Sequence, residues 1–127
     1  MSNDNNAKDQ AGAQYHSIEE LINDLKQAKT DQEKENIEQQ INETPLSIES
    51  RSGWHIPGQE IKDEEYNILL CTGGPAVRII GDLDIYLQPH TVQLEYQDCG
   101  TLWTEYYLTK EEKEILLQFA NKFFFGE

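Results

Sequence analysis

The chain has 127 residues, enough for one domain with a hydrophobic core and too few for two. Its 24 acidic residues against 10 basic ones give a formal net charge of −14 at pH 7, a field that repels nucleic acid and anionic membrane surfaces. Direct nucleic-acid binding is therefore disfavoured, whereas a basic protein, including one that itself holds nucleic acid, suits such a surface; solubility alone is the plainer use of the same charge.

Residues 1–15 offer almost nothing to bury and are expected to form a disordered lead-in. Ser17 with Glu20 makes a capping-box pattern, and Ile18, Leu21, Ile22 and Leu25 recur at helical spacing, predicting a helix over about 18–28. Thr30 with Glu33 opens a second, more polar helix carrying Ile37 and Ile41, which Pro45 stops. The pair reads as a helical hairpin over 16–44, ahead of an α+β core over 45–127.

In LSIESRSGW the pattern turns to alternation, with Leu46, Ile48 and Trp54 on one parity, which predicts a strand with one buried face. YNILLC and AVRII are apolar runs expected to be central strands, joined by Thr72 to Pro75 as a hairpin turn in which Gly73 and Gly74 supply positive φ. Ile85 to Leu87 suggest a short strand among turn signals, VQLEY alternates with Val92, Leu94 and Tyr96 on one face, and TLWTEYYL completes the series after Asp98, Cys99 and Gly100. Thr109 with Glu112 then caps a helix whose Ile115, Leu116, Phe119, Ala120 and Phe123 should pack on the sheet. The expected fold is α+β: an N-terminal helical hairpin, an antiparallel meander of four to five strands, and a C-terminal helix.

No run of apolar residues reaches membrane-spanning length, and MSNDNNAKDQAGAQ lacks the regions of a secretory signal, so a cytoplasmic protein is expected. Cys71 and Cys99 lack metal-ligand spacing, the three histidines do not cluster with them, and no EF-hand pattern occurs; neither a metal nor a cofactor is implied. The glycines of CTGG lead into β-branched residues instead of a helix with Lys-Ser/Thr, against a phosphate loop. Cys71 as a nucleophile needs a base such as His55 and a field that favours thiolate, and neighbouring carboxylates do the opposite. It reads better as core, so the chain is not expected to be an enzyme; the alternative is a ligand pocket or active site at Cys71, Thr72, Gly73 and Gly74, with His55 and Trp54 beside it. In YQDCGTLWTEYY, Trp103 and Tyr106 have opposite parity, so one face presents an aromatic side chain to solvent or to another element. Candidate partner-binding residues are thus Arg51, Trp54, Asp98, Trp103, Glu105 and Tyr106, with Arg51 and Arg78 also expected as internal partners of carboxylates.

RSGW, LCTGGPAVRI, YQDxGTxWTEY and the terminal FGE, taken together and in this order over about 46–127, resemble a family of short phage, prophage and mobile-element proteins of no established activity. Members of that pattern often carry tryptophan where this chain has Cys99, which implies that Cys99 is no required ligand or nucleophile. The resemblance implies a bacterial host cytoplasm and, with the charge, a protein that binds a basic host partner, such as a CRISPR or restriction effector, as a DNA mimic. A self-associating virion or assembly protein, dimeric through the aromatic face, is the remaining alternative.

Overall fold

The structure is a computed structural model and describes residues 6–98 and 101–125. Among the described residues three helices, α1 (Asn6–Gln27), α2 (Asp31–Glu43) and α3 (Lys110–Ala120), accompany five strands: β1 (Ser47–Arg51), β2 (Glu65–Cys71), β3 (Ala76–Asp82), β4 (Gln93–Gln97) and β5 (Thr104–Tyr106). The strands lie in the order β1-β2-β3-β4-β5, every neighbouring pair antiparallel, so the α+β meander is the observed architecture.

The first helix is twice as long as its apolar pattern suggested. Ala7, Ala11, Tyr15, Ile18 and Ile22 are all buried, at intervals of four, four, three and four residues along one stripe. Residues 6–15 are therefore not a lead-in but the first half of α1. The expectation failed because alanine barely registers in an apolar pattern, although a helix face of small residues approaches a sheet closely and buries well. Residues 1–5 lie outside the described residues. In α2 the Thr30 hydroxyl accepts from the Glu33 amide at 3.1 Å, and Ile41 joins the core while the rest of the helix is largely exposed.

Strand register sorts the sheet into two faces. Ile48, Ile68, Ile79, Leu94 and Tyr106 stand opposite one another from β1 to β5, and the same side takes Tyr66 and Val77. This side meets α1, which lies over β3, β4 and β5. Strand β1 lies beyond that cover, so Leu46 and Ile48 are exposed where a buried face was expected. Trp54 follows the end of the strand and stands fully in solvent.

A bulge in β2 between Leu69 and Cys71 sets two residues against one of β3, turning Cys71 toward the helix side opposite Val77. In the turn that follows, Gly73 alone of the two glycines takes positive φ, at 94°. No strand forms at Ile85 to Leu87. The Asp84 carboxylate instead accepts from the amides of Tyr86 and Gln88, closing a turn that leaves Ile85 and Tyr86 exposed and puts Leu87 at φ 61°. The chain then returns tightly against β3: a Cβ on Gly81 would overlap the Thr91 carbonyl and approach the Tyr66 ring at 2.9 Å. Tyr66 donates its hydroxyl to that same carbonyl at 2.6 Å.

Thr109 and Glu112 complete the predicted capping box reciprocally, at 3.2 and 2.8 Å. Leu116, Phe119 and Ala120 of α3 enter the common core chiefly beside α1, and Phe125 beyond the helix packs on Tyr66 with ring centroids 5.3 Å apart.

Candidate binding surface

The second face of the sheet is built by the residues one step out of phase with the core. Across the strands it presents Ser47, Leu69, Arg78, Glu95 and Glu105 in one row, Glu49, Asn67, Ile80 and Gln93 in the next, and Arg51, Glu65 and Asp82 in a third. Among the described residues no helix packs there, because the buried stripes of all three helices join the cluster on the other side. The helices therefore do not cover both faces.

Arg78 organises the centre of this open face. Its Nε donates to Glu95 Oε1 at 2.8 Å, its Nη2 lies 2.7 Å from the same oxygen as an ion pair, and its guanidinium lies 4.0 Å from the Trp103 ring centroid. Gln93 donates to the other Glu95 oxygen at 2.9 Å, so both carboxylate oxygens of this largely buried residue are engaged. Arg51 pairs with Glu65 toward the sheet edge, where both are exposed enough for water to screen them. Both arginines thus have the carboxylate partners that the sequence suggested. Between these pairs lies a trough of about 530 Å³ reaching from β1 to β4. On its lining, the Asn67 side-chain oxygen is shielded from solvent and has no hydrogen-bond partner among the described residues. An unpaired buried oxygen of this kind costs about 1–3 kcal/mol.

The structure separates the candidate partner-binding residues. Arg51, Trp103 and Glu105 belong to the open face, whereas Tyr106 turns to the helix side, where its hydroxyl faces Gly12. The opposite parity read for Trp103 and Tyr106 is thus realised, with α1 over one ring and Arg78 over the other. Asp98 holds a turn by accepting from Thr101, and Trp54 stands apart in the loop after β1. Cys99 and Gly100 lie outside the described residues. Sequence reasoning missed Asn67, Ile80, Gln93 and Glu95 as neighbours of this surface. The signal was present in the polar parity of Glu65 and Asn67 in β2 and of Gln93, Glu95 and Gln97 in β4.

At the CTGG turn, the half-buried Cys71 donates its thiol to the Pro75 carbonyl at 3.8 Å. Burial pushes the thiol pKa up, partly offset by hydrogen bonding with the Val77 backbone and the Gln10 side chain, and no histidine is among these neighbours. Thr72, Gly73 and Gly74 are exposed, as is His55 in its separate loop. Neither the trough nor a second cavity of about 660 Å³ between α1 and α3 is lined by any of them. Among the described residues no three His, Cys, Asp or Glu side chains are grouped to hold a metal ion, and no helix is long and apolar enough to cross a membrane. Comparison with protein-family models, curated proteins and solved structures found no match to this chain.

Proposed function

We propose that this chain is a small acidic protein of a phage or other mobile element that acts by binding a basic host protein. The partner is a nucleic-acid-handling defence effector, of the CRISPR or restriction type, whose basic groove it occupies in the cytoplasm of the bacterial host. The observation that carries this reading is where the charge of −14 is displayed. Helix α2 exposes Asp31, Glu33, Glu35, Glu38 and Glu43 beside Lys34 alone, and the open sheet face adds Glu49 and Asp82, which make no ion pair among the described residues. A basic groove evolved to neutralise phosphates is attracted by such a surface, and an occupied groove excludes its nucleic acid.

Catalysis has less support, because Cys71 is held as a neutral thiol without a histidine among its hydrogen-bonding neighbours. The test is a pull-down of purified CRISPR and restriction effectors on the immobilised chain, at about 0.05 M and about 0.5 M salt. Retention at low salt, loss at high salt and displacement by duplex DNA are the expected results. An effector panel that shows no retention at low ionic strength overturns the proposal.

A further inference from the structure

We infer that the outer edge of β1 is an interface with a second copy of this chain, which adds its own β1 antiparallel about a two-fold axis at Ser50. This goes beyond the binding of a basic partner and does not depend on it, so association of copies and retention of effectors are read separately.

Strand β1 is the long open edge of the sheet. Among the described residues it pairs with β2 alone. The backbone bonds at its ends, from the Leu46 amide to the Leu69 carbonyl and from the Glu64 amide to the Arg51 carbonyl, also run to that side. Its other side offers a row of amides and carbonyls to an incoming strand. Soluble proteins blunt such an edge with a lysine, a proline, a bulge or a covering element, or by keeping it very short, as with the three residues of β5 at the opposite edge. The five residues of β1 include no lysine, proline or register shift, and four of them are exposed. Apolar surface is concentrated nearby: Leu46, Ile48, Trp54, Ile56 and Ile61 are five of the ten large apolar side chains exposed among the described residues. Apolar side chains beside an unpaired edge favour association.

Charge selects a second copy as the occupant. Two copies keep their faces in common within one sheet only when one residue of β1 opposes its own counterpart, which leaves a choice of centre. Centred on Glu49 or on Arg51, the pairing sets like charges against each other, and centred on Ile48 it runs Arg51 against Pro45. Centred on Ser50, it sets Glu49 of each copy directly opposite Arg51 of the other, on the open face, twice over. Directly opposed side chains stand about 5 Å apart at Cβ, close enough for an ion pair. Glu49 makes no ion pair among the described residues, and the hydrogen bond of Arg51 to Glu65 uses Nε, which leaves the terminal guanidinium nitrogens for the second copy. On the helix side, where α1 does not reach β1, the same register sets Ile48 opposite Ser52 and, with the alternation carried past the strand, Leu46 opposite Trp54. Opposite charges two residues apart are self-complementary in this register, which suits a copy better than an unrelated strand.

The full chain is followed by sedimentation velocity from about 1 to about 300 µM at about 0.3 M sodium chloride, where the mutual repulsion of two chains of charge −14 is largely screened. A monomer–dimer equilibrium with a dissociation constant on the order of 10 µM is the expected result for a small interface. E49R and R51E should each weaken the dimer about tenfold, because each sets like charges opposite one another twice. An equimolar mixture of the two variants places opposite charges at both positions again and should form a heterodimer as tight as the native dimer. Both variants must be folded to associate in the mixture, so a restored heterodimer excludes misfolding as the reason for the loss. E49R also replaces a negative charge by a positive one, and bulk repulsion alone would then make association tighter. The same exchange on β5, E105R, should not weaken the dimer. A chain that stays monomeric across the range, single variants that dimerise as tightly as the native chain, or a mixture no tighter than its components would each overturn the inference.

Discussion

Arg78 makes three contacts at once: a hydrogen bond and an ion-pair contact to one oxygen of Glu95, and a stack on Trp103. The pair is partly buried, with side-chain exposures of 24% and 12%, so water screens it incompletely. Arg78→Ala leaves Glu95 desolvated without its cation and should lower stability by about 2–3 kcal/mol. Arg78→Lys keeps the charge but loses the planar stack and the paired donors, and should recover about half of that loss. Urea midpoints of the two variants check both figures. If alanine and lysine prove equally costly, geometry and not charge is the decisive contribution of this residue.

Tyr66 contributes to the alkaline limit of the fold, together with Tyr15, whose phenol pKa is also pushed up by burial first and then by Glu19. Burial first, and the charge of Asp82 second, push the Tyr66 phenol pKa well above the ordinary value of about 10. The folded state then holds this proton more tightly than the unfolded state. Stability is therefore complete below about pH 10 and falls as pH rises from there toward the folded value. Tyr66→Phe removes the hydrogen bond to the Thr91 carbonyl, at a cost of about 1 kcal/mol at neutral pH, and should flatten the decline above pH 10. Urea unfolding at a series of pH values reads both effects, and an unchanged alkaline slope would assign the decline to other groups.

Among the elements, α1 carries the largest consequence. Tyr15, 2% exposed, sits in the middle of its buried stripe. Tyr15→Ala should cost about 3 kcal/mol by opening a cavity between α1 and the rest of the core. Removing residues 6–16 should lower the urea midpoint further than that single change, whereas a dispensable leader would leave the midpoint where it is.

The elements also differ in how plainly the sequence announced them. All three capping-box pairs fall at or within helices, and the pairs at Thr30 and Thr109 mark helix starts because their hydrogen bonds are local. Ser17 and Glu20 instead fall inside α1, where the favourable pattern lies within a helix already begun at Asn6. Ile48 alternates like a core residue and is aligned with Ile68, but nothing in its own strand records that α1 lies over β3, β4 and β5 and stops short of β1. The bulge at Leu69 to Cys71 was equally silent, since an extra residue in one strand is defined only by its partner. The trough was legible in part: alternation puts Glu65, Asn67, Gln93 and Glu95 on polar parity, but register alone brings them beside Arg78.

For the whole molecule, a net charge of −14 makes the folded state self-repelling. Exposed repulsions are screened by salt, while the partly buried Arg78–Glu95 attraction is screened less. The thermal midpoint should therefore rise between about 0.02 M and about 0.3 M sodium chloride, the direction opposite to that expected for binding a basic partner. A falling midpoint in calorimetry would mean that surface ion pairs outweigh the repulsion.

Sequence alone determined what is local or additive: the charge, two helix starts, a glycine turn between the two central strands, and the parity that divides Trp103 from Tyr106. Tertiary structure decided what depends on a partner segment distant in the chain. Docking of α1 made small residues of an apparently empty N-terminal stretch into core, and it left one sheet face open. Strand register then gathered Glu49, Asn67 and Asp82 from three strands around one cavity. Burial and proximity are properties of pairs of segments, so the pattern within one segment limits them without fixing them.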